Sequence, residues 1–270
     1  AGQMMFLKII AAIDPDQNPK DLEAFLDALN DKVEISQDIV VLPGMVADSL
    51  EAASPFENVH DKLLIDATSI VPTDPRSPDE PLEGSYNQPT PEWRQHGKAS
   101  PPFEGLESVE ALDGVRQARM LRPNMLVVST TIEGTPSPRT GQHDGDDTQE
   151  AQRIEQIIQL RNSIWQLDLE KNLRWLFITN DDLDMTHTKA RRRLLWQLTA
   201  RFDVGRGLTF DEGRDRLCWD ATTPIPSEEH GVRRWPAVTL HDEETLAKVA
   251  SHPELKKYEW PPHLSFGGPE

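Results

Sequence analysis

The sequence predicts an α/β protein in which one strand–helix–strand unit occurs twice. Two eight-residue segments, 61–68 and 215–222, are identical at five positions, and both end in Asp-Ala-Thr. Each segment follows an apolar run of strand length and a helix pattern, in the same order. Agreement in the motif, in the order of the elements and in the flanking pattern favours duplication over chance.

The first copy opens with the apolar residues 7–13, which predict a strand because turn-forming residues 14–19 follow them. A helix is expected over 21–33, where Leu22, Phe25, Leu26, Leu29 and Val33 recur at helical spacing. Residues 38–44 predict a buried strand that Pro43-Gly44 closes. This order of elements predicts a right-handed parallel crossover.

The second copy repeats this order and has an additional portion before it. A strand is expected at 173–179 and a helix after the acidic residues 180–184, with Leu194, Leu195, Leu198 and Phe202 on one face. The additional portion predicts a strand at 125–131, a polar loop at 134–147 and a long helix at 149–172. The apolar stripe of that helix is expected to be core: Ile154, Ile157, Ile158, Ile164, Trp165 and Leu169.

Several segments together resemble the C-terminal domain of UbiD-type decarboxylases. They are Leu-Leu-Trp-Gln-Leu-Thr-Ala-Arg-Phe-Asp at 194–203, Val-Leu-Pro-Gly at 41–44, Lys-Leu-Leu-Ile-Asp-Ala-Thr at 62–68, and Arg-Trp-Pro-Ala-Val at 234–238 before a helix at 242–250. Each copy departs from the family pattern once. The first has Asp27 where the family favours an aromatic residue, and the second has residues 205–210 in place of the Pro-Gly segment.

The resemblance implies two tandem three-layer α/β units of the UbiD C-terminal type, joined by a Pro-rich arm. We expect the first unit at 1–70, the arm at 71–105, the second unit at 106–250 and a tail at 251–270. The first unit is expected to begin inside the helix that precedes its first strand, at Ala1–Phe6, which favours a chain that is the C-terminal part of a longer protein.

The resemblance also implies a function, because UbiD-type enzymes add or remove CO2 on aromatic or α,β-unsaturated acids with prenylated FMN. In that family the flavin ligands, the divalent metal and the catalytic residues belong to domains that precede this one. We therefore expect no catalytic, cofactor-binding or metal-binding residue in this chain, which would supply assembly and closure. An upstream flavin-binding domain or partner subunit, and a homo-oligomer, are the expected partners.

The acidic turns carry the strongest competing signal. Asp14 and Asp16, and the group Asp181, Asp182 and Asp184, follow strands, where open α/β sheets bind ligands and paired carboxylates can hold Mg²⁺. No glycine-rich phosphate loop accompanies them, so helix capping and turn formation are favoured. Asp66 and Asp220 in the Asp-Ala-Thr segments are likewise expected to bond to nearby loop groups.

The remaining candidates have simpler interpretations. Cys218 lies between apolar residues and is expected to be a buried hydrophobe, Ser54 and Ser100 precede prolines in turns, and His143 with Asp144, Asp146 and Asp147 forms a solvated acidic loop. The basic cluster 189–193 is expected to be a solvated helix face or an interface patch, although it could hold an anion.

Composition limits the function classes. The net charge of -18 argues against a broad nucleic-acid surface, and the apolar runs are much shorter than the roughly 20 residues that a bilayer requires. One cysteine and no recognisable signal peptide favour the cytoplasm. Two alternatives to the decarboxylase portion stay open: a non-catalytic scaffold built from the duplicated domains, and a metal-dependent transferase that uses the acidic turns.

Overall fold

The structure is a computed structural model that describes residues 7–48, 51, 53–68, 101–132, 147–180, 188–233 and 243–252. The described residues up to 233 belong to one compact unit, and the described residues 243–252, which contain helix α7 (Glu243–Ser251), belong to the other. Most of the expected Pro-rich arm and of the expected tail lies outside the described residues. Within the described residues, no helix has the length and apolar character needed to cross a membrane.

The N-terminal region forms a mixed three-stranded sheet, which we call sheet A. Its strand order is β1-β3-β2, with β1 parallel and β2 antiparallel to β3. Two helices, α1 and the short α2, connect β1 to β2. The bounds of these elements are β1 Ile9–Ile13, α1 Leu22–Lys32, α2 Ile35–Asp38, β2 Ile39–Val46 and β3 Val59–Ala67.

The predicted parallel crossover between the first two strands is therefore wrong. β2 runs antiparallel to β3, and β3 lies between β1 and β2, so the parallel pair of this sheet is β1 with β3. The error has a physical cause, because hydrophobic periodicity identifies strands but carries no information on their direction or partner.

The second sheet, sheet B, has five strands in the order β4-β5-β6-β8-β7. The pairs β5–β6 and β6–β8 are parallel, and the two outer pairs, β4–β5 and β7–β8, are antiparallel. Every residue of β5 and β6 is buried. The strands are β4 Val115–Arg122, β5 Met125–Thr130, β6 Trp175–Thr179, β7 Leu208–Phe210 and β8 Leu217–Asp220.

Among the described residues, four helices accompany sheet B. They are α3 Leu106–Glu110, α4 Asp147–Leu167, α5 Thr188–Ala200 and α6 Val204–Gly207. The long helix was predicted to continue to residue 172, but it ends at Leu167, and Leu169 is 90% exposed rather than part of the core stripe. The side chain of Asp168 accepts hydrogen bonds from the backbone N–H groups of Asn172 and Leu173 and so shapes the turn that follows the helix.

Two parts of the fold have the same topology. We call β1-α1-α2-β2-β3 the N-terminal motif and β6-α5-α6-β7-β8 the C-terminal motif. In each, the first strand pairs in parallel with the last, the second strand pairs antiparallel with the last, and the four-residue helix runs directly into the second strand. The C-terminal motif also has β5 beside its first strand.

Helix α1 begins where the sequence provides a cap. The carboxylate of Asp21 accepts hydrogen bonds from the backbone N–H groups of Glu23 and Ala24, at 3.1 and 3.2 Å. These bonds satisfy two of the donors that the first helical turn leaves unpaired. Leu26 and Leu29 of the same helix are buried, as the helical spacing predicts.

The Pro43-Gly44 segment makes a bulge inside β2, which continues to Val46 instead of ending there. The pairing register with β3 shifts between Leu42 and Met45, and Gly44 adopts a φ of 65°. A residue with a Cβ atom is strained in that conformation, which explains the glycine. The Gly44 N–H donates to the carboxylate of Asp61 at 2.9 Å.

One hydrophobic core joins the two sheets. It contains Leu63 and Ile65 of sheet A together with Trp175, Phe177 and Trp219 of sheet B, and helices α1 and α5 contribute to it. A second core covers the opposite face of sheet B and contains Leu176, Ile178 and Cys218 beneath three side chains of α4, namely Ile157, Leu160 and Ile164.

We expect Phe202→Ala to lower the free energy of unfolding by about 3–5 kcal/mol, because it would leave a cavity in the shared core. Phe202 is fully buried and its ring stacks on that of Trp219 with centroids 4.1 Å apart. Urea unfolding would measure the change. Phe56→Ala is the control, since Phe56 is 66% exposed; equal losses in the two variants would contradict the assigned core.

Candidate functional site

The two Asp-Ala-Thr segments adopt the same local geometry. Asp66 Oδ1 accepts hydrogen bonds from the backbone N–H and the hydroxyl of Thr68, at 3.1 and 2.6 Å. Asp220 Oδ1 accepts the same two bonds from Thr222, at 2.9 and 2.6 Å. Each aspartate thus stabilises the turn that ends its strand, which agrees with the structural role expected for these residues.

The Asp220–Thr222 turn is also part of a buried ionic network. Arg153 of α4 donates to both carboxylate oxygens of Glu150, at 2.7 and 2.8 Å, and to the hydroxyl of Thr222 at 2.5 Å. Its guanidinium lies 3.7 Å from the Asp220 carboxylate. Burial alone would lower the pKa of Arg153, but the hydrogen bonds to Glu150 and the charge of Asp220 outweigh burial and raise it.

This network attaches α4 to the end of sheet B. Glu150 is 1% exposed and Arg153 6% exposed, and Glu150 also accepts a hydrogen bond from the backbone N–H of Ile225 at 2.8 Å. Buried charges are tolerated only when they are paired and hydrogen-bonded, as these are. The charged side chains of this network bond to one another and to nearby backbone groups, so we assign the network a structural role.

A second set of buried charges lies between the two motifs. Arg174, directly before β6, donates to the backbone carbonyls of Asn30 and Val33 at the end of α1, and its guanidinium lies 3.9 Å from the Glu34 carboxylate. Burial lowers the pKa of Arg174, although the charge of Glu34 opposes that effect. Arg174 therefore joins the C-terminal motif to the N-terminal one.

The corresponding position before β1 is also basic and also buried. Lys8 forms a 3.0 Å ion pair with Glu51, and burial lowers the pKa of Lys8 while the charges of Glu51 and Asp203 oppose that effect. Asp203 caps α6, as its carboxylate accepts a hydrogen bond from the Arg206 N–H at 3.0 Å. Burial raises the pKa of Asp203, and Arg206 partly offsets the rise.

His60 of β3 lies among these charges without a hydrogen bond in the described structure. It is 1% exposed, and neither of its ring nitrogens has a partner. Burial lowers the pKa of His60 and the positive charge of Lys62 lowers it further, while Glu51 acts in the opposite direction. The imidazole is therefore neutral in the folded protein at pH 7.

A small cleft opens between α1, β4 and α5. It has a volume of about 130 Å³. Glu23 stands at its rim and accepts hydrogen bonds from Arg191 at 2.5 Å and from Arg122 at 2.9 Å, which lower the pKa of Glu23. The other lining residues are mostly apolar: Leu22, Leu26, Met120, Leu121, Leu194, Leu195 and Leu198.

The cleft is poorly suited to binding an acid. Arg122 is neutralised by Glu23 and Asp27, Arg191 by Glu23, and Arg119 by Glu110 at 2.8 Å. A carboxylate ligand would have to displace these pairs. The cleft is better explained as the place where α1 and α5 meet.

The structure describes the first acidic turn, with Asp14 and Asp16, but not the second. Asp14 forms a 2.5 Å ion pair with Lys32 at the end of α1, and Asp16 is exposed. Asp181, Asp182 and Asp184 lie outside the described residues. Among the residues that the structure describes, no group of three His, Cys, Asp or Glu side chains could hold a metal ion.

The other sequence candidates occupy structural positions where they are described. Cys218 is buried in sheet B, and burial raises the pKa of its thiol far above the usual value. Ser54 is buried. Asp147, the first residue of α4, accepts a 2.5 Å hydrogen bond from the hydroxyl of Ser227. Of the basic cluster, the Arg191 side chain is described. His143, Asp144, Asp146 and Ser100 lie outside the described residues.

Sequence reasoning missed the buried charges at Glu150, Arg153 and Arg174. A signal for two of them exists, because Glu150 and Arg153 continue the buried stripe of α4 with the spacing of Ile157, Leu160 and Ile164. A charged residue at a core position of an amphipathic helix predicts a buried partner. For Arg174 the sequence holds no comparable signal, because its partners are backbone carbonyls distant along the chain.

Comparison with known families gives one partial match. Residues 1–67 match the family described as 3-octaprenyl-4-hydroxybenzoate carboxy-lyase C-terminal domain. The resemblance to the UbiD C-terminal domain is thereby confirmed for this region. The mixed α/β fold is confirmed as well, whereas the second copy and the tandem arrangement stay predictions.

Curated relatives share the same limited region. A phenolic acid decarboxylase of Escherichia coli O157:H7 is 36% identical over 84 residues, which are 31% of this chain and 16% of that protein. An uncharacterized protein of Aeropyrum pernix is 35% identical over 71 residues, 26% of this chain and 15% of that protein. The chain therefore spans about a sixth of the length of these relatives.

Two solved structures match over similarly small shares. The UbiD-class enzyme HmfF from Pelotomaculum thermopropionicum in complex with FMN has 20% identity and a TM-score of 0.24, covering 30% of this chain and 18% of that one. The vanillic acid decarboxylase of Sedimentibacter hydroxybenzoicus in open form has 25% identity and the same TM-score, covering 38% and 18%.

Removal of the buried guanidinium in Arg153→Met is expected to cost about 3–5 kcal/mol of unfolding free energy, because Glu150 and Asp220 would keep uncompensated charges. Urea unfolding at pH 7 would measure it. The control is Arg119→Met, whose ion pair with Glu110 is about half exposed and should be worth no more than about 1 kcal/mol. If Arg153→Met lowered the free energy of unfolding by only a small amount, water would have to reach the Glu150–Arg153–Asp220 network.

His60 should make stability depend on pH. Its folded pKa is lowered, so the unfolded chain binds the proton more readily, and stability should be lost as the pH falls below the unfolded value of about 6.5. His60→Leu should flatten the dependence of unfolding free energy on pH between about 5 and 7. His252→Leu removes an exposed histidine and should leave the slope unchanged. Parallel slopes in wild type and His60→Leu would refute this role.

Proposed function

We propose that this chain is the C-terminal portion of a UbiD-like decarboxylase and that it supplies assembly and active-site closure. The match of residues 1–67 to a carboxy-lyase C-terminal domain carries the proposal. The functional residues of such a domain are expected to be packing and docking residues, and the buried charges at Arg153 and Arg174 are of that kind.

We infer further that the C-terminal motif is a second copy of the same domain. Its strand order, strand directions and short helix repeat those of the N-terminal motif, and Asp220 and Thr222 repeat the hydrogen bonds of Asp66 and Thr68. Basic residues also precede both first strands, Lys8 in one motif and Arg174 in the other. Coincidence in topology, hydrogen bonding and sequence together supports duplication.

We propose that the cofactor binds to another part of the enzyme. The parent family uses prenylated FMN with a divalent metal, and the described residues do not fit either group. The arginines of the cleft are already neutralised by carboxylates, and the described histidine and acidic side chains do not cluster in a metal-binding set. The flavin and metal are therefore proposed to be held by an upstream domain or a partner subunit, within a homo-oligomer.

The proposed substrate class is aromatic carboxylic acids, and by family resemblance α,β-unsaturated ones. The matched family is named for a 4-hydroxybenzoate derivative, and a curated relative is a phenolic acid decarboxylase. Both names describe a carboxyl group on or near a phenol ring. The choice among such acids would be made where the flavin binds.

Reconstitution tests the proposal. The chain should release no CO2 from 4-hydroxybenzoate or vanillate when it is mixed with prenylated FMN and Mn²⁺ alone. Together with a flavin-binding UbiD-type protein that lacks its own C-terminal domain, it should raise the rate of CO2 release above that of the flavin-binding protein by about tenfold or more, because positioned binding groups and closure commonly contribute at least this much.

Two outcomes would overturn the proposal. CO2 release by the chain without the flavin-binding protein would place catalysis here. An unchanged rate on addition of the chain, despite complex formation in size-exclusion chromatography, would favour a non-catalytic scaffold.

A further inference from the structure

The imidazole of His60, near the start of β3, is buried without a hydrogen bond. His60 is 1% exposed, and neither ring nitrogen has a partner in the described structure. A neutral imidazole carries one N–H donor and one acceptor nitrogen, so both groups are unsatisfied. Two further buried groups of this region also lack a partner there, namely the hydroxyl of Ser54 and Oδ2 of Asp203.

Charged groups from four parts of the fold act on His60. They are Lys8 before β1, Lys62 in β3, Glu51 between β2 and β3, and Asp203 at the start of α6. The two lysines oppose a positive imidazole, and the two carboxylates favour one. Glu51 already forms an ion pair with Lys8 at 3.0 Å, so its charge is largely compensated.

Residues 53–58 lie directly before β3, and we call them the β3 entry segment. Side-chain contacts hold the start of this segment. Arg206 of α6 donates to the carbonyl of Ala53, and the Ala53 N–H donates to Glu51 at 3.1 Å. Glu51 in turn pairs with Lys8. The contact with Arg206 joins the N-terminal motif to the C-terminal motif.

Protonation of His60 would make its buried position unfavourable. An imidazolium has two N–H donors, and burial of a charge without hydrogen-bond acceptors is costly. Opening of a neighbouring element would let water reach the ring. The strands β1, β2 and β3 are held by backbone hydrogen bonds along their length. The β3 entry segment depends more on side-chain contacts, so its displacement costs less.

We propose that the β3 entry segment is an acid-sensitive switch between the two motifs, in which protonation of His60 displaces the segment and separates Ala53 from Arg206. In the open form water hydrates the imidazolium and the unsatisfied groups of Ser54 and Asp203. The closed form would keep the same charge buried beside two lysines. This inference goes beyond the proposed decarboxylase role and does not depend on it.

The direction of the pH effect follows from the two forms of His60. In the closed form its pKa is lowered, mainly by burial and then by the charge of Lys62. In the open form the pKa returns toward the ordinary value of about 6.5. The open form therefore binds the proton more readily, and the segment should be closed at pH 7 and should open as the pH falls below about 6.5.

A buried thiol in the segment would measure the opening. Ser54 is 1% exposed and its hydroxyl has no partner in the described structure, so Ser54→Cys in the full chain should be tolerated. Its reaction with an aromatic disulfide reagent that remains active at acid pH requires opening. Glu57→Cys, at an exposed position of the same segment, gives the rate for an accessible thiol. The rate of Ser54→Cys relative to Glu57→Cys should rise about fivefold or more from pH 7 to pH 5.

Controls within the same chain separate local opening from unfolding. Cys218 is buried in sheet B and should stay unlabelled at pH 5 while Ser54→Cys reacts. His60→Gln and His60→Leu, added to Ser54→Cys, remove the group that takes up the proton and should abolish the pH dependence. His252→Gln, which removes an exposed histidine, should retain it.

Four results would overturn the inference. They are a relative rate for Ser54→Cys that is constant between pH 7 and pH 5, an unchanged pH dependence in the His60 variants, labelling of Cys218 as fast as that of Ser54→Cys at pH 5, and equal rates for Ser54→Cys and Glu57→Cys at pH 7. The third would show that the whole unit unfolds, and the fourth that the segment is already open. None of these measurements involves flavin or CO2 release, so a failed reconstitution of activity would leave them valid.

Discussion

The fold depends on one hydrophobic core that both sheets share. Sheet A has three strands and a single well-covered face, and that face is buried by contact with residues of sheet B, including Trp175 and Phe177. A sheet so small has too little apolar area to offset the conformational entropy lost on folding by itself. The two motifs therefore stabilise each other, because each covers apolar side chains of the other and removes them from water.

Charged groups at the edges of this core determine how its parts are held. Arg174 binds carbonyl groups at the end of α1, and Arg153 holds α4 on the Asp220–Thr222 turn. Such groups contribute geometric specificity more than net stability, because their desolvation cost offsets much of their mutual attraction. Here they fix the position of α1 relative to β6 and of α4 relative to the end of β8.

Most of the buried charged groups described above are paired with one another. Arg153 pairs with Glu150, and in the small cleft between α1 and α5 Arg122 and Arg191 both pair with Glu23. Sheet B buries one of its faces under its own helix α4.

The sequence by itself determined most of the elements, because the spacing of apolar residues and the turn residues act locally. It located β1, α1, β5, β6 and α5, the Asp-Ala-Thr turns and the family resemblance, which the match of residues 1–67 confirms. Only the tertiary structure decided the antiparallel direction of β2, the end of α4 at Leu167 and the partners of Arg174. These features depend on contacts between residues far apart in the chain, and local periodicity carries no record of such contacts.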